Sequence, residues 1–112
     1  MAVLNYLELP VDSVADAAQF YRKAFGWQFT DYGPDYAACE EGACQIGLNG
    51  GGDHRSAAIL PVIEVTDLEA ARDAVLAAGG ALTREIFAFP GGRRFHFRDP
   101  GGLELAAYVS EA

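Results

Sequence analysis

Two stretches decide the fold: "LNYLELPVDSVADAAQFYRKAFGW", Leu4 to Trp27, and "ILPVIEVTDLEAARDAVLAAGGAL", Ile59 to Leu82. With Val11 set against Val65, Val14 meets Leu68, Ala17 meets Ala71, Tyr21 meets Val75 and Gly26 meets Gly80. Each stretch reads as a strand, a capped helix, a glycine stop and a new strand. A repeat at constant offset marks one supersecondary unit used twice.

The periodicities agree with that reading. Leu7, Leu9 and Val11 alternate with Tyr6 and Glu8, the period of a half-buried strand. Val14, Ala17, Ala18, Tyr21 and Phe25 recur at helical spacing, with Asp12 or Ser13 placed to cap and Gly26 to stop. In the second stretch Leu68, Ala71, Val75 and Ala78 form the apolar stripe. Thr66 and Glu69 have the spacing of a capping box, and Gly79-Gly80 ends the helix.

Three short strands are expected after each helix. In the first half they are "WQFTDY", "DYAACEE" and "ACQIGL"; in the second, "ALTREIFAF", "RRFHFRD" and "LELAAYV". Gly33-Pro34-Asp35, Gly42, Pro90-Gly91-Gly92 and Pro100-Gly101-Gly102 supply the turns. The predicted fold class is therefore α+β, with tandem βαβββ units at about 1–49 and 57–112 of a single domain spanning 1–112.

Composition narrows the function. The chain carries 16 acidic and 8 basic residues, a net charge of -8, and has no Lys/Arg run. Phosphate neutralisation supplies most of a nucleic-acid binder's affinity, so that class is not expected. No stretch has the length and apolarity of a signal or a membrane span, and the expected location is the cytoplasm. Cys39 and Cys44 are expected as free thiols there, with a disulfide across a hairpin as the alternative. Zinc would need more ligands at tighter spacing.

The stretches "LELPVDSVADAAQFYRKAFGW" and "GGRRFHFRDPGGLELAAYV", with their "FY…AFGW" and "DPGG" motifs, resemble the vicinal oxygen chelate superfamily. That group takes in glyoxalase I, bleomycin-resistance proteins, fosfomycin-resistance enzymes and extradiol dioxygenases. The single-domain glyoxalase-like proteins are the subgroup most like this chain. The resemblance implies curved mixed sheets around a cup-shaped cavity, helices on the outside, and a homodimer. It also implies a divalent metal held by His or Glu from the first and last strands of each unit. Those four positions fall on Tyr6, Gly47, Leu60 and Ala106. Leu, Gly and Ala have no side-chain donor and Tyr is a rare ligand, so no metal and no other cofactor is expected.

A displaced site is the alternative. Glu8, Glu64 and Glu104 stand near the family positions on strands, and three carboxylates would suit a hard divalent ion. A metal-dependent lyase, isomerase or dioxygenase of the glyoxalase I type would then rest on Glu8, Glu104 and His96. The plainer expectation is that these carboxylates are solvated or pair with Arg93, Arg94 and Arg98. His96 shares a strand face with Arg94 and Arg98, a set able to hold an anionic group. His54 lies in the polar loop "GGGDHRS" and reads as a surface residue.

The expected binding residues are Tyr6, Glu8, Leu60, Val62, Arg94, His96, Glu104, Ala106 and Tyr108. An apolar lining with a few hydroxyls suits a small planar organic molecule. The favoured function is small-molecule binding without the usual metal, as in a bleomycin-resistance-like dimer. A third reading is a half-module that works only with a partner protein.

Overall fold

The computed structural model describes residues 2–51 and 55–111, and the chain divides into two compact units. One unit is Tyr6–Leu60; the other joins Met1–Asn5 to Pro61–Ala112. Each carries a four-stranded mixed sheet with one helix packed on one face.

In the Tyr6–Leu60 unit, β1 (Val3–Pro10) leads into α1 (Val14–Phe25), followed by β2 (Thr30–Asp31), β3 (Tyr36–Cys39) and β4 (Gln45–Asn49). The strand order is β2-β3-β4-β1, with β1 parallel to β4 and the other pairs antiparallel. Parallel neighbours need a crossover, and α1 lies within it. Ser13 is the N-cap, its hydroxyl accepting from the Asp16 amide at 3.2 Å. Gly26 stops the helix at φ 74, a left-handed conformation costly for any residue with a Cβ. Val14, Ala18, Ala37 and the fully buried Leu48 form the core, with Leu9, Ala17, Tyr21 and Ile46 packed around them.

The other unit contains β5 (Leu60–Glu64), α2 (Leu68–Ala77), β6 (Ala81–Phe89), β7 (Gly92–Arg98) and β8 (Glu104–Ser110). Its order is β5-β8-β7-β6, again with the first and last strands of the unit parallel. Leu68, Phe95, Phe97, Ala107 and Val109 make its core. Burying each large side chain contributes about 1.5–3 kcal/mol. The "RDPGG" motif is a self-contained turn. The Asp99 carboxylate accepts from the Leu103 amide at 2.9 Å, the Asp99 carbonyl accepts from Gly102, and the Arg98 guanidinium donates to the Gly102 carbonyl at 3.0 Å.

Local expectations are corrected at several points. "WQFTDY" is a strand only at Thr30–Asp31. Trp27 and Phe29 turn onto the helix instead: Trp27 stacks on Tyr21 at 5.4 Å between ring centroids, and Phe29 meets the same ring at 6.5 Å. Phe25 also meets Trp27, at 5.2 Å, but is 62% exposed and so lies outside the buried stripe. In the second unit the cap is Asp67, whose carboxylate accepts from the Ala70 amide at 3.0 Å, so Thr66 stands one residue outside the helix. Ala78 is the exposed C-cap of α2 rather than part of its stripe.

Candidate functional site

Strand alternation sends Leu7, Leu9, Ala37, Ile46 and Leu48 toward α1 and leaves Tyr6, Glu8, Tyr36, Gly47 and Asn49 on the helix-free face. In register, Glu8 lies beside Gly47 on β4, and Tyr36 lies opposite Asn49. The result is a polar network around one carboxylate. The Tyr36 hydroxyl donates to Glu8 Oε2 at 3.0 Å, and Asn49 Nδ2 donates to Glu8 Oε1 at 3.1 Å. The Tyr6 and Tyr36 hydroxyls lie 2.5 Å apart. Since Tyr36 has one proton and gives it to Glu8, Tyr6 is the donor in that pair. The chain therefore runs Tyr6 to Tyr36 to Glu8.

Glu8 is 2% exposed, so the expectation of a solvated carboxylate is corrected at this residue. Burial is tolerable because directed donors replace water on both oxygens. Burial, and then the Glu8 charge, hold the Tyr36 hydroxyl far above the usual phenol range. Gly47 makes this arrangement sterically open. A methyl there would run into the Tyr36 and Tyr6 hydroxyls and stand 2.8 Å from Tyr36 Cζ.

The helix-free face of the other unit carries Val62, Glu64, Arg94, His96, Glu104, Ala106 and Tyr108, placed together by the β5–β8 and β7–β8 registers. His96 is 4% exposed, with Nδ1 3.9 Å from Glu104 Oε2 and its ring 5.7 Å from Phe87. Glu104 Oε2 also accepts from the Thr83 hydroxyl at 2.7 Å. The guanidiniums of Arg84 and Arg94 lie over the Phe87 ring, at 4.5 and 5.3 Å from its centroid. Asn5 links Glu64 and Tyr108: its amide donates to Glu64 at 3.0 Å, and its carbonyl accepts from the Tyr108 hydroxyl at 3.1 Å. Burial, and then the Glu64 charge, raise the Tyr108 hydroxyl above the usual phenol range.

The structure thus brings Tyr6 to Glu8 through Tyr36, and His96 to Glu104. Leu60, Val62 and Ala106 are buried and apolar. Arg93 is separated from Arg94 and Arg98 by alternation and reaches Glu69 and Glu111 instead, at 2.6 and 3.0 Å. His54 lies outside the described residues. Sequence reasoning missed Tyr36 and Asn49. The available signal was Gly47, since a glycine inside a strand marks a close approach by another group.

The four family ligand positions do not fit a metal ion. Gly47 is the cradle of two phenols, Leu60 and Ala106 offer no donor, and the Tyr6 hydroxyl is engaged with Tyr36. Among the described residues no group of three or more His, Cys, Asp and Glu is arranged to hold an ion.

Known proteins agree with this architecture. The chain is similar to a hypothetical protein from Bacillus halodurans C-125, with a TM-score of 0.80 and 17% identity over 99% of this chain and 96% of that one. It is similar to a methylmalonyl-CoA epimerase from Mycobacterium tuberculosis, with a TM-score of 0.78 and 18% identity over 98% and 89%. It is also similar to an NAD-dependent benzaldehyde dehydrogenase structure from Legionella pneumophila, with a TM-score of 0.79 and 14% identity over 96% and 99%. At these identities the likeness concerns the fold. No curated protein matches the chain. The sequence pattern of one family, however, matches residues 3–106, which runs from the first strand of the first βαβββ repeat into the last strand of the second. The chain belongs to the Glyoxalase/Bleomycin resistance protein/Dioxygenase superfamily.

Proposed function

We propose that this protein binds a small organic molecule on the helix-free face of its sheets, without a transition metal at the family positions. One observation carries the reading: the Tyr6–Tyr36–Glu8 chain fills the space over Gly47, where the superfamily resemblance puts a metal ligand. The half-buried Tyr6 and Tyr108 place aromatic rings and hydroxyl oxygens on the helix-free faces beside apolar surface, a combination that suits such a ligand. A homodimer in the cytoplasm is part of the proposal. No helix among the described residues is long and apolar enough to cross a membrane.

The test has three parts. Elemental analysis of the purified protein is expected to find no stoichiometric transition metal. A panel of planar aromatic compounds is expected to raise the melting temperature for a subset, and Tyr6→Phe is expected to reduce that shift. Turnover of a hemithioacetal to lactoylglutathione, abolished by EDTA, would overturn the reading. Light scattering on a sizing column checks the dimer.

The enzyme reading, a lyase, isomerase or dioxygenase on relocated carboxylates, draws support from the 3.9 Å approach of His96 to Glu104. It requires divalent-ion occupancy that falls in both Glu8→Gln and Glu104→Gln.

A further inference from the structure

Cys39 and Cys44 are free thiols at the turn end of the β3–β4 hairpin, and Cys39 faces away from the side that carries Glu8. Cys39 pairs in register with Ile46, which puts those two side chains on one side of the ladder, and Cys44 stands in the bend immediately before β4. The same three residues line a depression of about 340 Å³, together with Gly26, Trp27, Glu41 and Gly42. Cys44 is exposed and Cys39 is buried.

We propose that this pair is an oxidation site, at which a peroxide converts the two thiols into a Cys39–Cys44 disulfide. Diagonal neighbours on an antiparallel pair have Cα atoms about 7–8 Å apart, beyond the roughly 4.4–6.8 Å that a disulfide spans, so the bond requires a backbone shift. The registered β3–β4 ladder ends at Cys39–Ile46, and Cys44 sits outside it, beyond a turn whose Gly42 has φ 85. The shift is therefore placed in that bend, where it breaks no β3–β4 ladder pair and costs only the weak contact of the Cys44 thiol with the Gln45 carbonyl at 3.7 Å. Exposure assigns the order of events. The Cys44 thiolate attacks the O–O bond of the peroxide and forms an S–O bond. The expelled hydroxide, or the alkoxide of an organic peroxide, takes up the proton the thiol gave away and leaves as water or alcohol. The Cys39 sulfur then attacks the Cys44 sulfenic sulfur; the S–S bond forms, the S–O bond breaks, and the departing hydroxide takes the Cys39 proton as water. The two sulfurs lose two electrons in total, and the peroxide gains them.

Trp27 is the one tryptophan of the chain and lines the same depression, so it reports the change. The full-length protein is treated with hydrogen peroxide, then unfolded and alkylated. Intact mass is expected to show a loss of two hydrogens, no alkylated thiol and no chain-to-chain crosslink. Trp27 emission is expected to change and to return on adding dithiothreitol. Cys39→Ser is expected to leave a Cys44 sulfenic acid that dimedone traps, and Cys44→Ser to show neither product. Two alkylatable thiols surviving in the wild-type chain would overturn the proposal. So would Cys44 carried to sulfinic acid beside a free Cys39, or crosslinking between chains in place of the internal bond.

Discussion

The Tyr36 hydroxyl donates to the Glu8 carboxylate at 3.0 Å and receives the Tyr6 proton at 2.5 Å on its other side. Tyr36 is thus the middle member of a one-way chain that ends on a buried charge. The middle of such a chain is worth more than its end. Removing it takes a donor from Glu8 and an acceptor from Tyr6 at once.

That inequality is measurable. Tyr36→Phe is expected to destabilise the protein by about 1–3 kcal/mol, because a charged oxygen loses a directed donor in a buried setting. Glu8→Gln should cost a similar amount, since one end of the amide must then turn a donor toward Tyr36 or Asn49. Tyr6→Phe, which leaves the Tyr36–Glu8 bond in place, should cost less than Tyr36→Phe. Urea unfolding of the three variants with unchanged m-values checks the order; Tyr6→Phe as the costliest of the three would reverse the assigned direction.

Stability should also fall in alkali. Tyr36 and Tyr108 have hydroxyls raised above their ordinary value of 10.0. A phenol raised in the native state binds its proton more tightly there than in the unfolded chain. Its contribution is fully present below pH 10 and is lost as pH climbs toward the native value. Urea midpoints measured from pH 8 to pH 11 are expected to decline above about 10. Tyr36→Phe should flatten that decline. An equal decline in the variant would assign the effect to other groups.

Gly47→Ala should be destabilising by about 1–3 kcal/mol, because its methyl overpacks against the two hydroxyls. The cost should not add to that of Tyr36→Phe. Removing the hydroxyl relieves part of the clash, so the double variant is expected to be more stable than the sum of the singles. A double-mutant cycle with zero coupling would show that the two residues do not touch.

The repeat was legible because a βαβββ unit writes its periods into the sequence. Alternation placed Leu7 and Leu9 opposite Glu8, and Phe95 and Phe97 opposite His96, and the structure keeps both divisions. The network was less legible. Glu8 looked like an exposed strand charge because nothing local reveals that Tyr36 and Asn49, on other strands, point at its two oxygens. Pairings across registers are set by strand order, and a single sequence does not state strand order. Trp27 and Phe29 escaped for a related reason: their strand propensity lost to ring contacts with Tyr21 on the preceding helix.

The start of α2 tests the same point at one position. Thr66 and Glu69 have capping-box spacing, yet Asp67 adopts the extended cap conformation, with φ -134 and ψ 105, and its carboxylate takes the Ala70 amide. Asp67→Ala removes that acceptor and is expected to cost about 1 kcal/mol, while Asp67→Asn, which keeps an oxygen in place, should cost less. Thr66→Ala, at an exposed residue outside the helix, should change stability by less than about 0.5 kcal/mol. Thermal unfolding of the three variants checks the pattern. A Thr66→Ala loss matching that of Asp67→Ala would move the cap back to Thr66.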